Sequence, residues 1–483
     1  MVRFRVATVT VVILLLAAIV SARPDAGTDV TSTITAHLAA PTTGPETTTT
    51  TERATTTSSS PARSTEPIAD AEAVSTTSAA ESSAAGESTT TSAPDSTATT
   101  SGPTVTTSPA SGASGRGEGQ VDLLVNAKSA FDTWTSSPSS STQAVMRELY
   151  DYMVVWSPYF DSRLSWYPNG LAYIDLYAIY TDLDKDQRSV DHPGWILTDS
   201  SGERLFIDWG CSGGTCPQWA ADVGNPDFQS DFVARVGALV AKGYAGVMID
   251  DVNLLWRISD GSGDTVIPID PRTGAEMTLS AWQGYVVQLL EKVRSAYPGV
   301  KIMHNAIWYA DSPGFSNSYV KRQTQAADWI MLERGANDGG LTGGDGKYSL
   351  SSFMRFIDFS HGVGTNVLLL DEGASSIADQ IYNLGVYLLA NDGADLVSTE
   401  NYGLMAPGAT WSGFTADLGH ATGPRYRWEG LWRRDFSGGV VLVNEPGAGT
   451  VSVNIGPGLT DVDGKAVSEV ELASTSAAVL LSP

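Results

Sequence analysis

The chain has 483 residues and a formal net charge of −25. That length exceeds one ordinary domain, and the acidity excludes nucleic acid as a partner, because no basic stripe is available to neutralise phosphates. Charged residues are only 17%, beside 48 glycines and 13 tryptophans; tryptophans suit sugar-stacking surfaces, although a large core accounts for most of them.

Residues 1–22 have the form of a secretory signal peptide. Arg3 and Arg5 open it, Ala7 to Val20 form the apolar run, and Val20-Ser21-Ala22 offers small residues for cleavage. The run is shorter than a comfortable membrane span, so cleavage is expected over retention as an anchor, with no stable membrane insertion afterwards. Residues 23–119 are Thr, Ser, Ala, Pro and Gly with few large apolar side chains. Such a stretch cannot offset its ordering entropy and reads as a disordered linker open to O-glycosylation. It suits a domain held off a cell wall, and a plain spacer needs the same composition. The expected location is secreted, with cell-wall association.

From Val121 the composition changes, and residues 120–427 read as alternating strands and helices. Tyr152 to Trp156 is the first predicted strand. Leu171 to Tyr180 is the second and carries Asp175. An insert follows, in which WILTDSSGERLFIDW reads as a hairpin about a Ser-Gly turn. It continues into WGCSGGTCPQW, with Cys211 and Cys216, the two cysteines of the chain, close enough for a local disulfide. With only five histidines besides, no metal site or cofactor is expected.

Gln218 to Val223 is the third predicted strand, ending at Asp222. Asn225-Pro226 then opens a helix with Phe228, Phe232, Val236, Leu239 and Val240 on one face. The fourth strand lies in GYAGVMIDDVN, where Val247-Met248-Ile249 runs into Asp250 and Asp251. Two adjacent carboxylates after a buried strand are costly unless they reach a cleft or water. A helix over Ser280 to Tyr297 is stopped by Pro298-Gly299. Strand five is Val300 to Ala306 and strand six Asp328 to Glu333. The helix Ser351 to His361 leads to strand seven, Asn366 to Asp371. The helix Ile377 to Asn391 leads to strand eight, Ala394 to Thr399.

Eight near-continuous apolar strands alternating with helices specify an α/β protein, a (β/α)8 TIM barrel. The rival is a doubly wound open sheet, which the lack of a Gly-rich fingerprint after strand one disfavours. Residues 428–483 carry short β-rich runs with glycine turns and read as a small C-terminal antiparallel β domain.

Acids recur where the strands end. Asp175, Asp222, Asp250 and Asp251 close strands two to four; His304 and Asn305 close strand five, and Glu333 and Arg334 strand six. Asp371 and Glu372 close strand seven, and Glu400 and Asn401 follow strand eight. One such acid is usually a cap or an ion pair, but acids at six of these strand ends point to the barrel mouth as an active site. A carboxylate-rich mouth without a His or Cys cluster suits glycoside hydrolysis, which needs one ionised and one protonated carboxyl. Trp308, directly after strand five, is the leading candidate for stacking on a sugar. The expected substrate is a polysaccharide or oligosaccharide. Asp175, Asp222, Asp251, Asn305, Trp308, Asp371, Glu372 and Glu400 are the candidate substrate-binding residues.

GVMIDDV, the upstream AADVGNPDF, the MLERG after strand six and the C-terminal GGVVLVN, VDGKAV and AAVLL together resemble the TIM-barrel glycosyl hydrolases of glycosyl hydrolase-like family 15. The resemblance runs from Val121 to Pro483. Related barrel glycosidases, polygalactosaminidase-like and dextranase-like, place an Asp at the end of strand four and an acid at the end of strand six. Carried over, the resemblance implies Asp250 as nucleophile and Glu333 as general acid/base, with Asp250 preferred to Asp251 as the first acid after the strand. Trp329 to Leu332 gives Glu333 an apolar setting of the kind that raises a carboxyl pKa, with Arg334 opposing if it points inward. Carboxyls about 5–5.5 Å apart would retain anomeric configuration and a wider gap would invert it; near-neighbour strands four and six favour retention. The alternative reading is a non-catalytic carbohydrate-binding surface protein on a wall-spanning stalk. A third is a stalked protein whose barrel mouth meets a protein partner.

Overall fold

A computed structural model describes residues 117–126, 133–306, 317–371 and 376–483. The signal segment and the linker up to residue 116 lie outside the described residues. Gly117 to Gln120, at the expected end of the linker, are tied to the folded chain: Asn391 Nδ2 donates to the carbonyls of Gly117, Glu118 and Gln120.

Eight parallel strands close into a barrel. In order they are Leu123–Val125, Tyr150–Val155, Gly170–Asp175, Gly246–Asp250, Lys301–Asn305, Trp329–Leu332, Asn366–Asp371 and Leu396–Thr399, the last pairing with the first. Two corrections to the sequence reading cancel in the count. The first barrel strand is Leu123–Val125, three fully buried residues too short for a periodic pattern to reveal. The predicted third strand is not in the barrel. Gln218–Ala220 belongs to an antiparallel sheet with Ala178–Tyr180, Phe206–Ile207 and Ile258–Ser259.

The cause is local. The run LAYIDLYAIY is two strands, because the Asp175 carboxylate accepts from the backbone N–H groups of Tyr177 and Ala178. That Asx-type turn ends the barrel strand and sends the chain into the insert. The hairpin turns where expected: Asp199 Oδ1 accepts from Ser201 N and Glu203 N, and Gly202 takes φ 86°.

Helices start on the residues that favour starts. Asn225 caps Pro226–Ala241 by accepting from Asp227 N and Phe228 N. Thr278 caps Leu279–Ala296, and Ser349 caps Leu350–Gly362. Ser376 and Asp379 form a capping box on Ile377–Ala390.

Alternation along each strand divides the apolar residues into two cores. Leu124, Val154, Leu171, Met248, Met303, Trp329, Met331, Leu368, Leu370 and Leu396 fill the barrel interior. Their strand neighbours, such as Val247, Ile249, Ile302, Ile330 and Val397, pack outward in the larger core that includes the helices. The barrel is therefore a plugged cylinder, and polar side chains find room only at its ends.

Six antiparallel strands between Tyr426 and Leu481 form the C-terminal sheet. It packs on the helix Ile377–Ala390, where Gly385 leaves no space: a Cβ there would sit 2.6 Å from the Ala477 Cβ. Arg434, 8% exposed, reaches from the sheet to the end of this helix. Its Nη1 donates to the carbonyls of Leu388 (2.9 Å), Leu389 and Asn391 (2.7 Å). Terminal helix carbonyls lack intrahelical partners, so the sheet caps the helix it rests on. Arg434→Met keeps much of the apolar stem but orphans these carbonyls, and a loss of about 1–3 kcal/mol is expected. The urea midpoint by tryptophan fluorescence measures it; an unchanged midpoint would refute the clamp.

Candidate active site

Counting two residues on from the last interior side chain of a strand gives the next group aimed at the mouth. Met248 leads to Asp250, Tyr173 to Asp175, Met303 to Asn305 and Met331 to Glu333. All four line one cleft of about 720 Å³. Asp251 joins them. The inserted sheet supplies further walls: Tyr180, Trp209, Gln218 and Arg257.

Asp250 is the most closely held. Tyr173 Oη donates to its Oδ2 at 2.6 Å. Asn305 Nδ2 donates to Oδ1 at 2.8 Å, and the Asp251 backbone N–H to the same atom at 2.9 Å. The register explains the grip: Asp175 and Asp250 are strand partners, and His304 pairs with Ile249, so Asn305 ends level with Asp250. Tyr173 is itself braced by stacking on Trp156, ring centroids 5.3 Å apart. Burial, with Asp250 and Asp175 beside it, pushes the Tyr173 phenol far above its ordinary range, so it stays a donor. Three donors therefore fix the orientation of this carboxylate.

Its neighbours are arranged differently. Burial, then Asp251 and Asp250, raise the Asp175 carboxyl well above the usual range. Burial, then Asp250, push Asp251 up to about 6, with Glu333 adding to the rise and Arg257 opposing it. Arg257 Nη1 lies 3.4 Å from Asp251 Oδ1, but half of its own side chain is exposed. Asp251 also sits at φ 54°, an uncommon conformation for a residue with a side chain. The left-handed turn breaks the strand alternation and swings a second acid towards the same cleft. One corner therefore holds a carboxylate fixed by three donors between two whose pKa values are raised.

Glu333 stands on the lip. The apolar setting expected from Trp329 to Leu332 does not surround it, because those four side chains are buried inside the barrel or behind it while Glu333 is exposed. Arg334 also lines the cleft, yet is 73% exposed, with Nη1 3.8 Å from Asp338 Oδ1. The loop after Glu333 is fixed at Gly335, which has φ 52° and would place a Cβ 2.9 Å from the Leu370 carbonyl. Asn383 Oδ1 accepts from Ala336 N, and Asp371 Oδ2 accepts from Asn337 Nδ2 at 2.9 Å.

The remaining candidates are placed elsewhere. Asp371 is buried on the outward alternation and anchors the Glu333 loop instead of lining the cleft. Asp222, 2% exposed, is bound by Arg272 Nη1 at 2.9 Å to each oxygen, outside the cleft. Its expected place at the mouth fell with the third strand. Glu400 does not line the cleft, yet burial and then Glu333 raise its carboxyl. Trp308 and Glu372 lie outside the described residues. Trp282 is fully buried core. Tyr173, Trp209 and Arg257 were missed. Tyr173 was recoverable by counting back two from Asp175, whereas Trp209, in the insert after Asp175, and Arg257, in the loop after Asp250, lie in irregular segments without a period to count. Cys211 and Cys216 are bonded to each other in that insert. Among the described residues, the groups spaced to share a cation are His361, Asp392 and Asp395. They lie where strands seven and eight begin, the end away from the cleft.

Comparison with solved structures returns glycoside hydrolase barrels. The glycoside hydrolase domain of PelA from Pseudomonas aeruginosa is 14% identical, over 58% of this chain and 94% of that one, with a TM-score of 0.36. Arthrobacter globiformis isomalto-dextranase is 12% identical, over 76% and 73%, at 0.43. The Thermotoga neapolitana maltogenic α-amylase AmyB is 10% identical, over 74% and 98%, at 0.44. A segment of 107 residues is 28% identical to ribosomal RNA small subunit methyltransferase A of Shouchella clausii, and the chain spans about a third of that protein's length (36%). None of these likenesses is close enough to assign a role to a residue. The sequence of hypothetical glycosyl hydrolase family 15 matches over residues 157–440, more than half of the 483. With the cleft acids inside that match, the chain belongs to hypothetical glycosyl hydrolase family 15 and is a glycoside hydrolase.

Proposed function

We propose that this hydrolase is exported, cleaves an extracellular or cell-wall polysaccharide and works by a retaining double displacement with Asp250 as nucleophile and Glu333 as general acid/base. The observation that carries the reading is the set of three donors that fixes Asp250 in the cleft beside two raised carboxyls, Asp175 and Asp251. In the first step an Asp250 oxygen attacks the anomeric carbon while Glu333 gives its proton to the leaving glycosidic oxygen. In the second, Glu333 takes a proton from water, which attacks the same carbon and frees Asp250. An exposed Glu333 suits a group that must meet the leaving sugar and then water. Arg3, Arg5 and the apolar run Ala7 to Val20 support export. Among the described residues no helix is long and apolar enough to cross a membrane.

A second assignment, with Asp251 as proton donor, is favoured by its carboxyl being pushed up to about 6 beside Asp250. Variants separate the two. Asp250→Asn and Glu333→Gln should each lower kcat on polysaccharide by at least about a thousandfold while the protein stays folded. Azide should rescue Glu333→Gln on an aryl glycoside with an activated leaving group. Rescue of Asp251→Asn in its place would move the role to Asp251. NMR of the first-formed reducing sugar should show the anomer of the substrate; the opposite anomer would establish inversion.

Asp251 also has a stability signature. Its folded pKa lies above its unfolded one, so the native state holds the proton more tightly. Stability is therefore greatest below about pH 4 and falls as pH rises to about 6, with the full cost of ionisation present at pH 7. Asp251→Asn should stabilise the protein at pH 7 by about 1–3 kcal/mol, the upper figure following from about two pKa units and the lower from losing the Arg257 contact. The gain should vanish near pH 4. Melting curves across pH 4–8 check this, and a variant no more stable at pH 7 would contradict it. Export is checked by N-terminal sequencing of protein from culture medium, expected to begin near Arg23; a retained Met1 would count against cleavage.

A further inference from the structure

The inserted sheet has two faces, and only one belongs to the cleft. Its strand Gln218–Ala220 presents Gln218 to the catalytic cleft and Trp219, the next residue, to a second groove behind the wall. This outer groove encloses about 660 Å³. Its floor is an aromatic pair, Trp219 stacked on Phe206 with ring centroids 4.1 Å apart and planes 18° from parallel. Its rim carries Asp199, Glu203 and Asp260. Asp199 and Asp260 each spend Oδ1 on a neighbouring turn, on Ser201 and Ser262 respectively. Gly214, from the loop closed by Cys211 and Cys216, forms one edge. It packs so closely on Gly261 that a Cβ there would lie 2.6 Å from the Gly214 carbonyl. The hairpin and the disulfide loop, which supply only Trp209 to the cleft, thus build this groove.

We propose that the outer groove is a second, non-catalytic glycan-binding site that holds the polysaccharide while the cleft cuts it. An aromatic face offers a platform for the apolar side of a sugar ring, and carboxylates beside it accept from ring hydroxyls. The acids also select the ligand: a neutral or amino sugar fits, and a polyanionic glycan is repelled. Arg204, whose guanidinium carbon is 5.7 Å from the Trp219 ring centroid, is the one cation among the described residues that line the groove and supplies a donor. The proposal rests on the glycosidase reading for the identity of the ligand, but not for its test.

The full chain carrying Asp250→Asn and Glu333→Gln is run in native gels containing soluble starch, dextran, chitosan oligomers or solubilised bacterial-wall glycan. At least one polymer should retard it. Adding Trp219→Ala should weaken that retardation about fivefold or more, and Trp219→Phe should largely restore it. Because Trp219 also packs in the insert, Glu203→Gln on the exposed rim is the second probe and should weaken retardation about twofold without altering melting. Retardation indifferent to both Trp219→Ala and Glu203→Gln, or no retardation by any of the polymers, overturns the proposal. Release of reducing ends by the wild-type chain on the same polymers is scored separately. Hydrolysis with retardation indifferent to Trp219 sinks the outer groove alone. Retardation that needs Trp219, without hydrolysis, sinks the catalytic reading alone.

Discussion

The filling of the barrel decides where chemistry can occur. Met248, Met303, Met331, Trp329 and their neighbours fill the interior, so a charged group there would be costly. Strand alternation then fixes what comes next at the mouth: one residue further faces the helices, two residues further faces the cleft. Asp250, Asp175, Asn305 and Glu333 all fall on the second count, and Asp371 falls on the first. A one-residue shift in any strand would exchange these roles. The parallel register between strands three, four and five is therefore as much part of the site as the acids, because it sets Asp250 level with Asp175 and Asn305.

The crowding of Asp175, Asp250 and Asp251 is a standing cost. Like charges in a desolvated corner resist ionising together, which raises the carboxyls of Asp175 and Asp251. Here Tyr173, Asn305 and a backbone N–H converge on Asp250. Asp175 spends its acceptor on the backbone turn at Tyr177 and Ala178, and Asp251 has long contacts to Asn253 Nδ2 (3.5 Å) and to a half-exposed arginine. The left-handed backbone at Asp251 adds strain at the same spot. Concentrated cost of this kind, in a barrel otherwise well packed, belongs to a site selected for reactivity over stability.

What the sequence discloses follows the same physics. Periodic elements were readable: seven of the eight barrel strands were found in the sequence, as were the four helices whose caps are Asn225, Thr278, Ser349 and Ser376. Asp250 and Glu333 were readable because each ends an apolar run. Leu123–Val125 was not, since three residues carry no period. Gln218–Val223 misled because an apolar strand looks the same in an antiparallel insert as in a barrel, and Asp222 was misplaced with it. Asp175 misled in a subtler way: its side chain ends the strand by turning the backbone, a hydrogen bond that composition cannot express. The environment of Glu333 was misread because neighbours in sequence on a strand point away from one another, so Trp329 to Leu332 say little about the space around the next carboxyl.

The insert is where this barrel departs from a bare scaffold. It leaves after strand three, contributes an antiparallel sheet and a disulfide-closed loop, and stands as a wall beside the acids. A wall one strand thick must present alternate residues to opposite sides, so Gln218 and Trp219 cannot both serve the cleft. Any selection acting on Gln218 to shape the catalytic face leaves Trp219 free to shape the other. Hydrophobic collapse alone would have buried an aromatic pair on that outer side, yet Trp219 remains half-buried among carboxylates. Barrel strands set the position of the reacting groups, and the insert sets what chain can lie across them. Differences in substrate among related barrels are then expected to follow this segment and not the eight strands.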